Sequence, residues 1–292
     1  MSDSVSNALL YAAFAKIAAF ENKIVKIIVK IRNFLIDKYR QKLYYSIINV
    51  QMPFYGRRKD HFMLYVTGDM HGDESRVSKK RLQMLKKGDT LIVCGDFGFL
   101  WDASANETAI RQKLKKRDYT ICFVDGTHEN FKLLNSYPVV EWNGGLAHRI
   151  QSNIYHLMRG QMYTIDGKTV FTMGGGESPD ADVLDNDLSE NDRAAIPTDR
   201  EMLDGVNRME QAGFVCDYII THEPPAKVKD FLLLGTNTPQ HVTALSAYFD
   251  ELQTQCKYTR WFFGSMHIDK QISSSQVAVF QQIIDAKTGK RY

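Results

Sequence analysis

Cysteine is scarce in this sequence, with four residues among 292. The four lie far apart, form no C-x-x-C pair and mostly sit in or beside apolar runs; they are Cys94, Cys122, Cys216 and Cys256. This usage is typical of reduced core residues in a cytosolic protein rather than of a disulfide framework. We therefore expect a cytoplasmic location.

The sequence also lacks an uncharged apolar run long enough to cross a bilayer. Basic residues interrupt every candidate window near the amino end, at Lys16, Lys23, Lys26, Lys30 and Arg32. The cleavage-site pattern of a secretory signal is missing as well. We expect neither a transmembrane span nor a secretory signal.

Internal repeats are absent, and Gly174-Gly175-Gly176 is no nucleotide-binding fingerprint. It lacks the Lys-Ser/Thr continuation of a P-loop and the G-x-G-x-x-G spacing of a dinucleotide site. We expect a flexible turn there, opening an acidic loop at residues 174–192 that is a candidate lid over a site. The apolar fraction of 44% and the charged fraction of 24% are ordinary for a globular protein, so the chain as a whole is not disordered.

An excess of acidic charge is confined to the larger part of the chain. The net charge is +3, but residues 1–62 hold eleven Lys/Arg against four Asp/Glu, so this head carries +7 and the rest −4. A mildly acidic body offers no basic face to the phosphates of a duplex, so we expect no duplex nucleic acid partner. A phosphorylated small molecule or a metal-held phosphate fits better.

The head shows a helical pattern. Apolar residues recur at spacings of mostly three and four, at Leu10, Phe14, Ile17, Ile24, Ile28, Ile31 and Leu35. Three interpretations remain: a helix that self-associates, which we favour, a helix that packs on the body, or a basic amphipathic helix on a membrane surface. Residues 53–60 resemble an exposed linker. We predict a helical basic extension at 1–62 and a domain at 63–292.

The body alternates β-prone and amphipathic stretches. Strands are predicted at residues 63–67, 90–94, 119–124, 217–221 and 259–263, and helices at 75–87, 104–117, 198–212 and 240–256. Capping boxes mark two helix starts, Ser104 with Glu107 and Thr198 with Glu201. In the strand-rich middle, Asp166-Gly167 indicates a tight hairpin turn. The pattern predicts a mixed α/β fold with a hairpin-rich centre.

Each predicted strand runs into glycine, aspartate or histidine. The five stretches are Gly68-Asp69-Met70-His71-Gly72, Gly95-Asp96-Phe97-Gly98, Gly126-Thr127-His128-Glu129, Thr221-His222-Glu223 and Gly264-Ser265-Met266-His267. Ligands of open α/β sheets bind at the carboxyl ends of strands, so these turns should converge on one crevice. Carboxylate and imidazole groups together suit Mn, Fe, Zn or a similar divalent ion. A single such Asp or His would more often be a cap or a surface group, but five together favour a site.

In these stretches the sequence resembles the calcineurin-like metallophosphoesterases, in particular small bacterial and phage members with a G-D-x-H-G start and a G-N-H-E-N-F centre. The resemblance runs from residue 63 to about 285 and includes the stretches 124–131, 156–161 and 261–264. It implies two mixed β-sheets stacked face to face with helices outside. It also implies metal-dependent hydrolysis of a phosphomonoester or phosphodiester.

Site roles follow from the same resemblance, position by position. It implies that Asp69, His71 and His267 hold a first metal ion, that Asp96 bridges two ions and that His222 holds the second. His128 is expected to protonate the leaving group or to stabilise the phosphoryl charge. Two such ions would bind phosphate oxygens and activate a shared water. Weaker candidates for contacting a substrate phosphate are Arg149 and Arg159.

Two positions depart from the family pattern, and both bear on the second ion. Thr127 stands where the family has an asparagine ligand, and Ser265 stands where it has a histidine ligand. Phe99 replaces a further aspartate, although Asp102 is near in sequence. Hydroxyl groups are poor neutral ligands, so we expect one firmly held ion and a weak second one. Three nearby carboxylates could replace a missing ligand: Glu177, Asp180 and Glu223.

The remaining histidines have less context. We expect His61 and His241 at the surface. His148 and His156 are weaker candidates for positions near the site. The leading function is hydrolysis of a phosphorylated small molecule, nucleotide or phosphoprotein. The alternative is a catalytically impaired protein that binds a phosphate ligand or serves as a scaffold.

Overall fold

A computed structural model describes residues 62–177, 189–236 and 242–292. Several predictions fall outside these ranges and stay predictions. They concern the amino-terminal helix, the linker at 53–60, His61, Asp180, His241 and most of the candidate lid. Among the described helices, none has the length and apolar character needed to cross a membrane.

Thirteen strands occur in the described residues. In chain order they are β1 (Leu64–Thr67), β2 (Thr90–Cys94), β3 (Thr120–Val124), β4 (Val139–Trp142), β5 (Gly145–Gln151), β6 (Ile154–Leu157), β7 (Gln161–Ile165), β8 (Lys168–Met173), β9 (Tyr218–Thr221), β10 (Arg260–Phe263), β11 (Lys270–Gln271), β12 (Gln276–Ala278) and β13 (Ile284–Asp285). The helices are α1 (Ala105–Lys115), α2 (Phe131–Leu134), α3 (Glu190–Ala195), α4 (Asp199–Gln211), α5 (Ala226–Leu233) and α6 (Ala244–Gln255), with a 3₁₀ turn at Glu74–Val77.

The strands form two mixed sheets. The first has the order β13-β1-β2-β3-β6-β5-β4 and the second β11-β12-β10-β9-β8-β7. Each contains four neighbouring parallel strands, β1-β2-β3-β6 and β8-β9-β10-β12, flanked by antiparallel ones. The predicted fold, two mixed sheets with helices, is confirmed for the described residues.

Alternation along the strands places the apolar residues in three layers. On β2, Ile92 belongs to the layer between the sheets, whereas Leu91 and Val93 belong to the layer outside the first sheet, with residues of α1. Phe249 of α6 lies in the third layer, outside the second sheet. Successive strand residues point to opposite faces, and burying one such side chain contributes about 1.5–3 kcal/mol. This burial fixes which strand ends lie side by side.

Most predicted elements match the structure. The five predicted strands are present to within one residue, and Asp166 and Gly167 form the hairpin turn with φ of 51° and 69°. The capping box of Thr198 with Glu201 starts α4. Ser104 caps α1, but the Glu107 carboxylate accepts from the preceding backbone N–H groups of residues 101–103 instead.

The helix predicted at residues 75–87 is wrong. Only the 3₁₀ turn at Glu74–Val77 forms, and Ser78 leaves it in an extended conformation with ψ of 152°. Arg76, which the helical pattern would leave at the surface, is buried and donates to the backbone of the β1 turn. Tertiary hydrogen bonds therefore override the local helical preference.

Candidate functional site

Polar side chains meet at one edge of the two sheets. Asp69, Asp96 and His128 follow β1, β2 and β3, and His222 and His267 follow β9 and β10. The carboxyl ends of parallel strands share an edge, and close packing of the two sheets joins their edges. Glycines allow the approach: a Cβ on Gly95 would collide with His222, and one on Gly264 would collide with Asp69.

Asp69 lies at the bottom of this crevice, 1% exposed. Its Oδ1 accepts from the Ser265 N–H at 3.3 Å and lies 3.5 Å from His222 Nδ1. Its Oδ2 is buried, and its partner among the described residues is His267 Nε2, at 3.0 Å. Burial opposes ionisation, but attraction to His222 and His267 holds the pKa of Asp69 well below its usual range. The carboxylate therefore presents a charged oxygen to the crevice.

Two exposed histidines face this oxygen. His71 Nε2 and His267 Nε2 are 3.0 Å apart, and both residues have left-handed backbones with φ of 48° and 50°. The Phe280 ring stacks on His267 with centroids 4.8 Å apart and fixes its orientation. Burial lowers the pKa of His71, whereas the hydrogen bond with Asp69 raises that of His267. Two nitrogens held about 2.1 Å from a tetrahedral ion would lie roughly 3.4 Å apart, close to this pair.

Asp96 is the second buried carboxylate, and it holds His128. Its Oδ1 accepts from the His128 backbone N–H at 2.8 Å, and its Oδ2 lies 2.9 Å from His128 Nδ1. The same Oδ2 lies 3.8 Å from His71 Nε2. The hydrogen bond with Asp96 raises the pKa of His128, whose ring is 59% exposed. His128 is therefore anchored on one side and open to solvent on the other.

His222 connects the two carboxylates. It is fully buried, its Nδ1 lies 3.0 Å from the Cys94 carbonyl oxygen, and its Nε2 lies 3.9 Å from Asp96 Oδ2. Nδ1 donates to that carbonyl, which leaves Nε2 as the ring nitrogen that faces Asp96. Burial lowers the pKa of His222, but the charges of Asp69 and Asp96 outweigh it and raise the pKa to about 10. The pocket thus attracts a cation.

The two positions that depart from the family pattern border the same pocket. Thr127 Oγ1 lies 3.1 Å from His128 Nδ1, and the Ser265 backbone N–H points at Asp69. Each side chain is shorter than the asparagine or histidine found there in the family. Neither hydroxyl can therefore reach as far into the pocket.

The ligand atoms form two overlapping groups with metal-ligating geometry. One group comprises Asp69, His71 and His267, and the other His71, Asp96 and His128; in each, the ligand atoms lie within 4.8 Å of one another. A divalent ion fits the first group best, because the buried Asp69 Oδ2 faces His267, which is itself a member of the group. His222 belongs to neither group, and the placement of His128 in the second was not anticipated from sequence.

Arg76 holds the backbone next to the site, a role that no sequence pattern indicates. Its guanidinium donates to the carbonyl oxygens of Asp69 at 2.8 Å and Phe280 at 2.5 Å. Similarly, buried Glu129 accepts from the Phe97 N–H at 2.8 Å and holds the β2 turn. Only the position of Glu129 beside His128 in the motif hints at this role.

Neither arginine proposed for phosphate contact belongs to the groups with metal-ligating geometry. The side chain of Arg159 is 8% exposed, and its guanidinium donates to Asp125 at 2.6 Å and 2.9 Å, to Glu201, and to the carbonyls of Ala194 and Ala195. Arg149 is exposed on β5, two strands away from β3. Protein acceptors engage the guanidinium of Arg159, and contact with a substrate phosphate stays a prediction for both arginines.

Other candidate carboxylates also have structural partners. Asp102 accepts from the Ser104 N–H before α1, and Glu223 pairs with Lys229 at 3.0 Å. Glu223 is buried and lies near Gly176, whereas Asp102 is exposed. Phe99 is part of the core.

His148 and His156 form a buried pair on the neighbouring strands β5 and β6. Their Nδ1 atoms are 2.9 Å apart, and His156 Nε2 lies 3.0 Å from Asp125 Oδ1.

All four cysteines are buried and free, as expected for core residues.

Three comparisons relate this chain to known proteins. The model of the calcineurin-like phosphoesterase family matches residues 62–269. Among solved structures, a phosphopantetheinyl hydrolase from Mycobacterium tuberculosis is similar, with 15% identity and a TM-score of 0.37, covering 76% of this chain and 90% of that one. A search of curated proteins returned no significant match.

Proposed function

Because the chain belongs to the calcineurin-like phosphoesterase family, we propose that it hydrolyses phosphomonoesters or phosphodiesters with one firmly held divalent ion and a weak second site. Membership of the family supports a metal-dependent phosphoester hydrolase in general. The observation that carries the finer proposal is the group of Asp69, His71 and His267 around a buried carboxylate oxygen with no other partner.

Asp69, His71 and His267 would hold the first ion, Asp96 would lie between both positions, and His222 would face the second. Manganese, iron, zinc or a similar ion suits this oxygen and nitrogen set. When bound, such an ion polarises a phosphoryl oxygen and lowers the pKa of a water molecule. The second position depends on Asp96 and His222 alone, since Thr127 and Ser265 offer only short hydroxyl groups.

His128 is suited to act on the leaving group. Asp96 accepts from its Nδ1–H, so in the protonated ring the exposed Nε2–H is the group that can give a proton to a departing alkoxide. The raised pKa of His128 favours the protonated ring. Asp96 also orients this ring through the His128 backbone N–H, which limits its freedom near the phosphate.

The substrate is proposed to be a phosphorylated small molecule, a nucleotide or a phosphoprotein in the cytoplasm. The mildly acidic body disfavours duplex nucleic acid. The alternative function is binding of a phosphate ligand without turnover, and the replacements at Thr127 and Ser265 favour it.

Metal content and hydrolysis of 4-nitrophenyl phosphate and bis(4-nitrophenyl) phosphate test this proposal in the native chain and an Asp69→Asn variant. We expect the variant to lose its tightly bound ion and at least about 10²-fold in rate, because a neutral amide binds cations weakly. Asp102→Asn, at an exposed carboxylate outside the crevice, is the control and should change neither quantity. Equal metal content and rate in native and Asp69→Asn chains would overturn the assignment.

A further inference from the structure

A cavity of about 230 Å³ lies along the segment that carries His128. Its lining includes Asp125 and Phe131, which are three residues before and after His128. Three extended residues span at most about 11 Å, so both walls lie within this distance of the His128 backbone. A substrate whose phosphate sits beside His128 could therefore extend into the cavity.

Most of the cavity surface is apolar. Phe131, Leu134, Met158 and Ile196 contribute side chains to it. A cavity of about 150 Å³ with purely apolar walls admits benzene. The present cavity is larger, and polar residues such as Asn135 and Glu201 also line it. This cavity therefore has room for an aryl-sized group with a polar substituent.

A chain of buried polar groups ends at this cavity. Arg159 pairs with Asp125, Asp125 Oδ1 lies 3.0 Å from His156 Nε2, and His156 Nδ1 lies 2.9 Å from His148 Nδ1. If His156 donates from Nε2 to Asp125, its Nδ1 accepts from the Nδ1–H of His148. The His148 Nε2 is then left as a hydrogen-bond acceptor.

His148 Nε2 has no hydrogen bond within the described part of the chain, although His148 is only 5% exposed and lines the cavity. Burial and the neighbouring His156 lower the pKa of His148 to about 4, so the ring is neutral at pH 7. Because Nε2 is not an enclosed atom, a ligand in the cavity can reach it and donate a hydrogen bond to it.

We propose that this cavity binds the alcohol part of the phosphoester, and that the preferred alcohol has a compact apolar body with a hydroxyl or N–H group that donates to His148 Nε2. The proposal rests on the proposed phosphoesterase function. It follows from the cavity's position along the segment that carries His128, its largely apolar surface and the accessible acceptor at His148.

Phenol and anisole test the binding site without requiring turnover, since they differ in the hydrogen-bond donor. The ¹³C methyl signal of Met158, assigned with a Met158→Leu variant, reports occupancy in the full chain. Phenol should shift this signal and bind at least about tenfold more tightly than anisole, the equivalent of one hydrogen bond of about 1.4 kcal/mol. Equal affinities, or no shift with phenol, would overturn the proposal without any variant. His148→Phe should remove the preference for phenol.

Two synthetic esters test whether the cavity takes the alcohol part. We expect 2-(4-hydroxyphenyl)ethyl phosphate to have an about tenfold higher kcat/KM than 2-(4-methoxyphenyl)ethyl phosphate, and His148→Phe to equalise them. Equal values in the native enzyme, despite tight phenol binding, would overturn the substrate role. If phenol binds as expected but neither ester is hydrolysed, the binding site is supported and the proposed function is contradicted.

Discussion

His128 combines features that a structural histidine does not need. Its ring is 59% exposed while its Nδ1 and backbone N–H are both held by the buried Asp96 carboxylate. A surface imidazole held so firmly has its free edge presented in one direction. That geometry suits transfer of a proton to a leaving group.

Replacing His128 by alanine should reduce hydrolysis by about 10²- to 10⁴-fold, the usual effect of losing an acid catalyst. Tightly bound metal should stay unchanged, because Asp69, His71 and His267 are intact. Steady-state rates with 4-nitrophenyl phosphate and elemental analysis measure the two effects. Loss of metal together with activity would instead show that His128 is a ligand, as its place beside His71 and Asp96 permits.

The crevice residues could be found from sequence because each follows a predicted strand. Asp69, Asp96 and His222 occupy the first or second position after a buried apolar run. Arg76 and Phe280 could not be found this way, since their roles depend on contacts formed only after distant strands meet. The partners of Arg159 could not be found either, because its acceptors at Asp125 and Glu201 are 34 and 42 residues away.

At the scale of elements, Arg159 and Asp125 join parts of the fold that are distant in sequence. Asp125 ends β3, whereas Arg159 lies in the turn between β6 and β7 and donates to the last residues of α3. Burial opposes ionisation of Asp125, but Arg159 and His156 hold its pKa well below its usual range. The ionised carboxylate therefore stabilises the folded state.

This stabilisation should be fully present above the unfolded pKa of Asp, about 3.9, and should be lost as the pH falls toward the lower folded pKa. Between pH 4 and 3, the free energy of unfolding should therefore fall more steeply in the native chain than in Asp125→Asn, by up to about 1.4 kcal/mol per pH unit. Urea unfolding at several pH values measures the slopes. At pH 7 the variant should be several kcal/mol less stable, whereas Asp204→Asn in an exposed pair should cost under about 1 kcal/mol. Parallel slopes would contradict the role of Asp125.

Sequence motifs whose residues all lie within a few positions of one another predicted secondary structure correctly. The Thr198 capping box and the Asp166-Gly167 turn are such signals. The helix predicted at residues 75–87 failed because periodicity cannot reveal that Arg76 is drawn under the β1 turn. Strand pairing across the two sheets likewise depends on contacts far apart in sequence.

At the scale of the whole molecule, the role of the basic head can be tested separately from that of the acidic body. If the apolar residues between Leu10 and Leu35 mediate self-association, deleting residues 1–62 should lower the mass measured by analytical ultracentrifugation. The circular dichroism spectrum of the truncated chain should remain that of a folded protein. An unchanged mass would contradict self-association. Binding of the full chain to anionic vesicles, lost on deletion and reversed by salt, would support the membrane-surface alternative.

We propose that the strand ends of the two sheets form a complete first metal position and a depleted second one. Elemental analysis of the native chain and of the Thr127→Asn, Ser265→His double variant tests it most directly, with phosphoesterase rates measured on the same samples. We predict about one tightly bound ion in the native chain and two in the double variant, with a rate increase of at least about tenfold because both ions then act on the phosphate and the water. Two tightly bound ions and unchanged high activity in the native chain would contradict the account.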